Sequence, residues 1–479
     1  MDDKDLELFF ANGILVDASV KNVEIKDIDG LLKMLKERNI TFLGRQELYD
    51  LNRAEDENLS DTMVEVIKNY GGATSPSKPA EWVAYFNDRF ERLRTMLVEK
   101  DRANIVSLST AKGMPPGSEV KTIAMISKIS VSPVKKYMVL DIEDSVSSGR
   151  ALSSVINQDL LPDQVVIIKG RKSGDAIFIN DIILPDITIK DTMPSDIPDS
   201  YALFLSDVHI GSKLFAKEPM ELFIRWINGD VEEYAEIAKK VRFLVINGDL
   251  VDGVGVYPGQ EKELTIKDLG AQYEALYKIL DRIPKNIKLI IAQGNHDATH
   301  IAEPQPRLDP AFASKMYELQ NATFLSNPYQ VNLSIGAIKR SLLGYHGFSL
   351  TYYANSIAKY NKMEPDDIAA IMKIQLKSRH LAPTHGSTQI MPLPRDYLVI
   401  DETPDIYATG HIHKALASKY KETVLINSSC WQYQTSYQKK YGIEPEIAKV
   451  PIVNLRDKSF QILDFLGEKV QIYKKGIKG

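Results

Sequence analysis

Short apolar runs in the second half of the chain stop just before residues that can bind metal ions. The four runs and the polar residues that follow them are 202–206 with Asp207, 243–246 with Asp249, 289–292 with Asn295, and 406–408 with His411. Strands and helices alternate through this region, as in a layered α/β domain. Because open sheets place their sites at the carboxyl ends of strands, we expect these polar residues to meet at one edge of the domain.

Five segments carry the candidate ligands, and five of the eight histidines of the chain fall in them. The segments are 207–209 (Asp-Val-His), 248–252 (Gly-Asp-Leu-Val-Asp), 294–297 (Gly-Asn-His-Asp), 346–347 (His-Gly) and 410–413 (Gly-His-Ile-His). Carboxylate, amide and imidazole ligands suit a pair of first-row divalent ions, whereas a structural zinc site uses more thiolates. Because such a pair activates water for attack on a phosphate ester, the segments predict a metal-dependent phosphoesterase.

The composition limits the classes of protein to consider. With 479 residues, of which 44% are hydrophobic and 26% charged, the chain is long enough for two or three globular domains. The formal net charge of -5 excludes a general basic field, so a nucleic-acid surface would have to be a local patch. The single cysteine excludes a disulfide framework, and the acidic start lacks a signal-peptide pattern, so we expect a cytoplasmic protein.

Two linkers divide the chain by composition. Residues 71–80 are rich in Gly, Ser and Pro, and 191–200 contain several Asp and Pro residues. They predict a multidomain α+β chain with a helical N-terminal region or arm (1–70), a leading helix with a β-barrel (81–190), and a layered α/β domain (201–479).

Helical spacing appears on both sides of the first linker. Met63, Val66 and Ile67 favour a short amphipathic helix. The second helix carries an apolar stripe formed by Trp82, Phe86, Phe90, Leu93 and Leu97. Three arginines lie mostly off this stripe, so we expect them in solvent; they are Arg89, Arg92 and Arg94.

Five short strands are predicted between the two linkers. They are 105–108, 122–126, 137–142, 165–170 and 176–180. Five strands in so short a span indicate a small barrel of the OB type, a fold that often binds single strands by stacking bases on aromatic side chains. Only Tyr137 and Phe178 are candidates for such stacking, so we favour a structural or subunit-contact role for the barrel over direct nucleic-acid binding.

The metal-binding segments resemble the calcineurin-like metallophosphoesterase superfamily over about residues 201–430. The resemblance implies a first ion held by Asp207, His209, Asp249 and His413. It implies a second ion held by Asp249, Asn295, His346 and His411. His296 would then be the general acid for the leaving group, oriented by Asp252. Phosphomonoester phosphatases of the superfamily carry an arginine directly after that aspartate, whereas Gly253 here favours a more open phosphodiester site.

The sequence around these motifs narrows the resemblance. Residues 302–306 (Ala-Glu-Pro-Gln-Pro) and 379–383 (Arg-His-Leu-Ala-Pro) are similar to the small subunits of archaeal D-family DNA polymerases, over about residues 100–479. The resemblance implies a two-metal 3′-to-5′ exonuclease that proofreads a DNA 3′ end beside a large catalytic polymerase subunit. The sliding clamp is a further candidate partner. Mn²⁺ is the expected ion, with Fe²⁺, Zn²⁺ and Mg²⁺ as alternatives.

Two other functions stay open. Eukaryotic replicative B-subunits share the barrel and the domain but have lost metal ligands, so a catalytically silent scaffold is one alternative. A phosphodiesterase or phosphatase with another substrate is the second. Because every ligand position is filled in this chain, the sequence favours an active nuclease.

Four further residues need separate weighing. His300 follows the third motif closely and is a candidate for the cleft lining. His380 either contacts the substrate or partner, or is a satisfied structural histidine. We expect His385 to be an ordinary loop residue and Cys430 to be a small buried side chain.

Overall fold

A computed structural model of the chain describes residues 3–16, 20, 28–37, 42–43, 62–71, 78–133, 136–157, 159–189 and 198–477. These residues form a small N-terminal unit, a closed five-stranded barrel and a region with two larger sheets. Among the described helices, none is long and apolar enough to cross a membrane. Most of both predicted linkers lies outside the described residues, so the predicted domain boundaries stay predictions.

The N-terminal unit consists of short elements around a small apolar core. Its elements are α1 (Asp3–Ala11), β1 (Leu15–Val16), α2 (Ile28–Glu37) and β2 (Phe42–Leu43). The two strands are parallel, and Phe9, Leu31 and Leu35 are among the buried core side chains.

The prediction of a helix over residues 63–67 is wrong. Met63–Lys68 form strand β3, which pairs antiparallel with Tyr329–Ile335 at the edge of a large sheet. Asn332 donates to the Glu65 carboxylate across this pair at 2.9 Å. Residues 63, 66 and 67 have helical spacing, but their side chains are exposed and not packed in a core. Pairing with a distant strand therefore overrides the local pattern.

The predicted helix after the first linker is confirmed as α3 (Pro79–Lys100). Phe90, Leu93 and Leu97 pack on barrel strands and on Val399, so this helix joins the barrel to the two-sheet region. The prediction that its three arginines lie in solvent is wrong for Arg89, which is fully buried, and for Arg92, whose side chain is 20% exposed and pairs with Asp88 and Asp401.

Arg89 is the centre of a buried polar network. Its Nε donates to Asp396 Oδ2 at 2.7 Å, and its guanidinium also donates to Tyr85 Oη at 3.0 Å and to the Pro383 carbonyl. The same Asp396 oxygen lies 2.8 Å from His380 Nε2. These contacts satisfy a charge that helix α3 would otherwise have to keep in water.

Arg89→Ala is expected to lower the free energy of unfolding by about 3–5 kcal/mol, because it leaves the Asp396 carboxylate buried without its cation. Arg94→Ala is the matched control, since Arg94 lies on the same helix, is 52% exposed and pairs with exposed Glu91. Its expected effect is below about 1 kcal/mol. Denaturant titration of both variants measures the difference, and equal effects would contradict the role given to Arg89.

The predicted small barrel of five strands is confirmed. It follows a short helix, α4 (Leu108–Gly113), and consists of β4 (Glu119–Val131), β5 (Met138–Glu143), β6 (Ser148–Ser153), β7 (Val165–Ser173) and β8 (Ala176–Ile183). The closed order is β4-β5-β6-β8-β7, with only β6 and β8 parallel. The predicted strand at 105–108 is wrong, since only Val106 makes a bridge there and α4 begins at Leu108. Strand β6 was missed because its sequence, SGRALS, has few apolar residues.

Strands and helices alternate through the rest of the chain, as predicted. The elements are β9 (Tyr201–Leu205), α5 (Lys217–Ile227), α6 (Ala235–Ala238), β10 (Val241–Asn247), α7 (Leu269–Leu280), β11 (Lys288–Ala292), α8 (Pro310–Ala313), β12 (Ala322–Leu325), β13 (Tyr329–Ile335), β14 (Ile338–Gly344), α9 (Ser349–Ser356), α10 (Pro365–Ser378), β15 (Ile406–Thr409), β16 (Leu416–Tyr420), β17 (Thr423–Asn427), α11 (Ser436–Lys440), β18 (Lys449–Asn454), β19 (Phe460–Asp464) and β20 (Gln471–Ile472).

These elements form a layered α/β region. One sheet has the order β12-β11-β10-β9-β18-β19-β20 and the other β16-β17-β15-β14-β13-β3. On β10, Phe243 and Val245 face the second sheet, whereas Leu244 and Ile246 face helices α5 and α7. Helices α9 and α10 pack on the outer face of the second sheet. A strand buried on both faces explains why the sequence shows continuous apolar runs here.

The carboxyl ends of the parallel strands carry the candidate ligands. Strands β9, β10 and β11 are parallel in the first sheet, and β14 and β15 are parallel in the second. Their last residues are Leu205, Asn247, Ala292, Gly344 and Thr409. Each candidate loop starts within a few residues of one of these ends, which confirms the predicted relation between strands and ligands.

Candidate metal centre

The loops at this rim bring all seven predicted ligands together. Side-chain ligand atoms lie within 4.8 Å of one another in the group Asp207, His209 and His413, and in the group Asp249, His346 and His411. The seventh predicted ligand joins the second group, since Asn295 Oδ1 lies 3.1 Å from His346 Nε2. Carboxylate, amide and imidazole atoms that converge in this way can hold divalent ions.

The first group surrounds a buried carboxylate. Asp207 Oδ1 lies 3.2 Å from His413 Nε2 and 4.0 Å from His209 Nε2, and the two imidazole nitrogens are 3.2 Å apart. Within the described part of the chain, Asp207 Oδ1 makes no hydrogen bond although it is fully buried. A buried carboxylate oxygen without a donor is costly, so this group fits a bound cation.

Asp249 lies between the two groups. Its Oδ1 is 3.4 Å from His346 Nε2, and its Oδ2 is 3.9 Å from His209 Nε2. Gly294 gives this carboxylate room, because a Cβ at that glycine would lie 2.3 Å from Asp249 Oδ1. One oxygen therefore faces each group, which suits a ligand shared by two ions.

The ligand loops have an unusual backbone conformation. Five of the seven predicted ligands have a positive φ, between 49° and 68°: Asp207, His209, Asp249, His411 and His413. Side chains other than glycine are disfavoured there, although Asp and His tolerate the left-handed region better than most. This backbone is a local strain that the site retains, as is common at functional sites.

The charges in the centre are strongly coupled. Burial opposes the ionised form of Asp249, but His346 and His296 outweigh it and hold the pKa of Asp249 well below its ordinary value. Burial likewise opposes the charged form of His346, but Asp249 outweighs it and raises the pKa of His346 to about 10. Burial and the neighbouring His346 lower the pKa of His411 to about 3. The carboxylates thus hold positive charge in the pocket, as they would around a cation.

Two of the histidines have partners that direct Nε2 inward. His346 Nδ1 donates to the Asn247 carbonyl at 2.8 Å, and His209 Nδ1 lies 3.2 Å from Asp252 Oδ1. Such outer contacts orient a histidine ligand and raise its basicity. The predicted contact between the Asp252 carboxylate and His296 is wrong, since His296 Nδ1 bonds the Asp252 backbone carbonyl at 2.8 Å. The carboxylate instead lies beside His209.

Glutamine side chains support the centre, and sequence reasoning missed them. Gln260 and Gln432 donate to Asp252 Oδ2 and Oδ1 at 3.2 and 2.9 Å. The Gln438 amide nitrogen lies 3.0 Å from His413 Nδ1, while its oxygen accepts from Thr435 N. The Thr-x-x-Gln capping pattern at 435–438 is the only sequence signal for this contact.

The Ala-Glu-Pro-Gln-Pro segment has a structural role behind His346. Tyr345 Oη donates to the buried Glu303 carboxylate at 3.1 Å, and Asn327 Oδ1 accepts from His346 N at 2.7 Å. Asn327 also donates to Gln305 Oε1 at 2.8 Å. This network fixes the backbone that carries His346.

Glu303→Gln is expected to make stability less sensitive to pH. Burial raises the pKa of Glu303 to about 7. Its contribution to the free energy of unfolding is therefore complete at pH values below its ordinary pKa of 4.5, and this contribution is lost as the pH rises through 7. Between pH 4 and pH 8, the free energy of unfolding of the variant should rise by roughly 3 kcal/mol relative to that of the parent. Denaturation with chelator present tests this, with Glu318→Gln on the surface as control. The same pH dependence in parent and variant would contradict it.

The remaining three histidines lie outside the centre, whereas the Cys430 side chain contacts His413 there. His380 is fully buried between Asp396 and the Ala382 amide, which supports the structural interpretation. His300 Nδ1 bonds the Ala302 carbonyl at 2.7 Å, and the ring of His385 packs against Trp82. Cys430 is buried, as predicted.

An open cleft of about 840 Å³ leads to the centre. The predicted ligands Asp249, Asn295 and His411 lie in its lining, together with His296. The His296 side chain is 17% exposed, and its Nε2 lies 4.0 Å from Asp249 Oδ2. A substrate in the cleft would therefore reach both the ligand cluster and an imidazole that is not one of the predicted ligands.

Comparison with known proteins identifies the family. The family model for the B-subunits of DNA polymerases alpha and epsilon matches residues 202–417. The chain is 36% identical over 412 residues to the DNA polymerase II small subunit of Archaeoglobus fulgidus, which covers 84% of this chain and 80% of that protein. The chain belongs to the family of archaeal DNA polymerase II small subunits. The family predicted from the segments at 302–306 and 379–383 is thereby confirmed.

Three further proteins are similar to this polymerase small subunit. The Pyrococcus furiosus DNA polymerase II small subunit is 36% identical over 414 residues, which cover 84% of this chain and 66% of that protein. Among solved structures, Vps29 with zinc from Entamoeba histolytica and a novel archaeal phosphodiesterase are each 12% identical, with TM-scores of 0.27 and 0.24. These similarities cover 57% of this chain and 97% and 99% of those two chains.

Proposed function

We propose that this small subunit is a metal-dependent 3′-to-5′ DNA exonuclease that proofreads for a D-family polymerase holoenzyme in the cytoplasm. The observation that carries the proposal is the convergence of all seven predicted ligands beside an open cleft, in a member of a DNA polymerase subunit family. A subunit with only a scaffold role has no need for an intact, buried set of ligands.

The proposed ligand sets follow the two groups in the centre. Asp207, His209, Asp249 and His413 would hold one divalent ion. Asp249, Asn295, His346 and His411 would hold the other. The orphaned Asp207 oxygen and the inward-facing nitrogens of His209 and His346 support two cations here, with Mn²⁺ as the expected ion and Fe²⁺, Zn²⁺ or Mg²⁺ as alternatives. When bound, the ions would supply Lewis acidity that activates water and offsets phosphate charge.

His296 is the proposed general acid. Its Nδ1 is held by the Asp252 carbonyl, so its Nε2 is left to face the cleft, where it can protonate the departing 3′-oxygen. Asp252 would position this ring through its backbone and position His209 through its carboxylate. Gly253 leaves the cleft without the arginine clamp of phosphomonoesterases, which supports a diester substrate.

The barrel supports assembly in this proposal. Its strand order, with a parallel β6–β8 pair closing the sheet, supports an OB-type barrel. Its two candidate aromatic side chains pack on each other, since the Tyr137 and Phe178 rings are 5.6 Å apart. We therefore assign the barrel to contact with the large catalytic subunit, and the DNA 3′ end to the cleft. The sliding clamp is a further candidate partner.

A time course on a 5′-labelled primer with a 3′ mismatch tests the function. The expected result is a ladder of shortened products with Mn²⁺, which chelator abolishes. The full chain should be assayed alone and with its large subunit. A ladder in neither assay would reject the nuclease and leave the silent scaffold, whereas turnover only of small diesters would indicate a phosphodiesterase with another substrate.

A further inference from the structure

Three tyrosines line one wall of the cleft beside the metal centre: Tyr257, Tyr437 and Tyr441. The rings of Tyr257 and Tyr437 are 6.3 Å apart, and those of Tyr437 and Tyr441 are 4.7 Å apart. Tyr437 and Tyr441 are 54% and 59% exposed, so burial in a core does not explain them. We call these three side chains the tyrosine wall.

The tyrosine wall is connected to the ligand loops on both sides. Tyr437 is in helix α11 and Tyr441 follows it, and the same helix carries Gln438, whose amide contacts His413. Tyr257 lies five residues after Asp252, and its hydroxyl donates to Glu263 at 2.9 Å. The rings therefore have a fixed place relative to the site where the phosphate would bind.

Aromatic faces beside a phosphate site suit one kind of ligand group. Nucleobases stack on exposed aromatic side chains largely independently of sequence. A paired base keeps its neighbours in the duplex, whereas an unpaired terminal base can leave the stack at low cost, and a mismatched base does so most easily. A stacking surface next to the metal centre would thus favour frayed or single-stranded ends.

We infer that the tyrosine wall stacks a nucleobase next to the scissile phosphate and so selects an unpaired DNA 3′ end. This inference rests on the proposed function and deepens it by naming the state of the substrate. Selection for mismatched ends would follow from the ease of fraying, since stacking itself reads no sequence.

The test compares substrates with and without a base. Tyr437→Ala/Tyr441→Ala removes two rings, Tyr437→Phe/Tyr441→Phe keeps them, and Tyr433→Ala is the control, because Tyr433 is 38% exposed but lies outside the cleft lining. The substrates are a single-stranded oligonucleotide, the same strand with an abasic terminal or penultimate position, and bis(p-nitrophenyl) phosphate. Each variant is assayed as the full chain with its large subunit.

The double alanine variant should lose about 10-fold or more in kcat/KM on the oligonucleotide and less than about 2-fold on bis(p-nitrophenyl) phosphate. The phenylalanine variant and Tyr433→Ala should both match the parent. The parent should discriminate against an abasic site at one of the two positions, and the alanine variant should not. Equal losses on both substrates, or no discrimination by the parent, would overturn the inference.

A binding assay separates this inference from the proposed function. An oligonucleotide with 2-aminopurine at its two 3′-terminal positions is mixed with the protein in chelator, so that no hydrolysis is needed. Quenching of the 2-aminopurine fluorescence by all proteins except the alanine variant would support base stacking on the tyrosine wall, even if the primer assay showed no nuclease activity. Equal quenching by the parent and the alanine variant would reject it even if the nuclease were active.

Discussion

Asp249→Ala is expected to abolish both divalent-ion binding and phosphodiester hydrolysis. Its two oxygens face the two ligand groups, at 3.4 Å from His346 Nε2 and 3.9 Å from His209 Nε2. Removing this carboxylate takes a ligand from both proposed ions and leaves neighbouring imidazoles without their counter-charge. We expect turnover to fall by about 10³-fold or more, which corresponds to roughly 4 kcal/mol of transition-state stabilisation.

Calorimetric titration with Mn²⁺ and the primer assay measure the two losses. Asp249→Asn is a second variant that keeps the volume of the side chain and an oxygen to accept from His296 N, as Asp249 Oδ1 does at 2.8 Å. It should fold like the parent and still fail to bind two ions. Asp181→Ala on the exposed face of barrel strand β8 is the surface control. Two ions bound by Asp249→Asn with parental affinity would refute the shared-ligand role.

His296→Ala is expected to reduce DNA hydrolysis by about 10²–10⁴-fold while ion binding stays largely intact. His296 is not one of the proposed ligands, and its Nε2 faces the cleft, so its loss removes an acid but no metal contact. The effect should depend on the leaving group. A 3′-alkoxide needs a proton as it departs, whereas p-nitrophenolate leaves without one.

The measurement is the ratio of parent to variant rates on DNA and on bis(p-nitrophenyl) phosphate, beside a titration with Mn²⁺. The loss should be much larger on DNA. His300→Ala is the control, because this nearby histidine bonds the Ala302 carbonyl and lies outside the cleft lining. An equal loss on both substrates, or a parallel loss of ion binding, would show that His296 does not act as the acid.

The sequence was a good guide wherever local pattern and burial agree. Strand β10 is buried on both faces, so its apolar run marks the strand and its end marks the position of Asp249. The same reasoning located Asp207, Asn295 and His411, because parallel strands bring their carboxyl ends to one rim. The types of the candidate ligands and their positions after strands could thus be predicted from the sequence without any knowledge of tertiary contacts.

Features that depend on residues distant in the sequence could not be predicted from local patterns. Strand β3 has exposed apolar residues at helical spacing, and only its pairing with residues 329–335 decides its conformation. Arg89 can be buried because it forms an ion pair with Asp396, which lies 307 residues away in the sequence. The direction of the Asp252 carboxylate is a matter of side-chain orientation, which glutamines from two other loops determine. Periodicity carries none of this information.

The left-handed backbone of the ligand loops is unfavourable for the stability of the fold, although the proposed site uses it. Asp207, His209, Asp249, His411 and His413 each adopt a conformation that glycine would adopt more easily, at a difference of about 1 kcal/mol per residue. Replacing them with glycine would therefore relieve backbone strain while removing the proposed ligands. Each such replacement would also remove contacts that these side chains make, such as the hydrogen bond from His296 N to Asp249 Oδ1. The strained backbone is therefore retained together with the side chains that the proposed site needs.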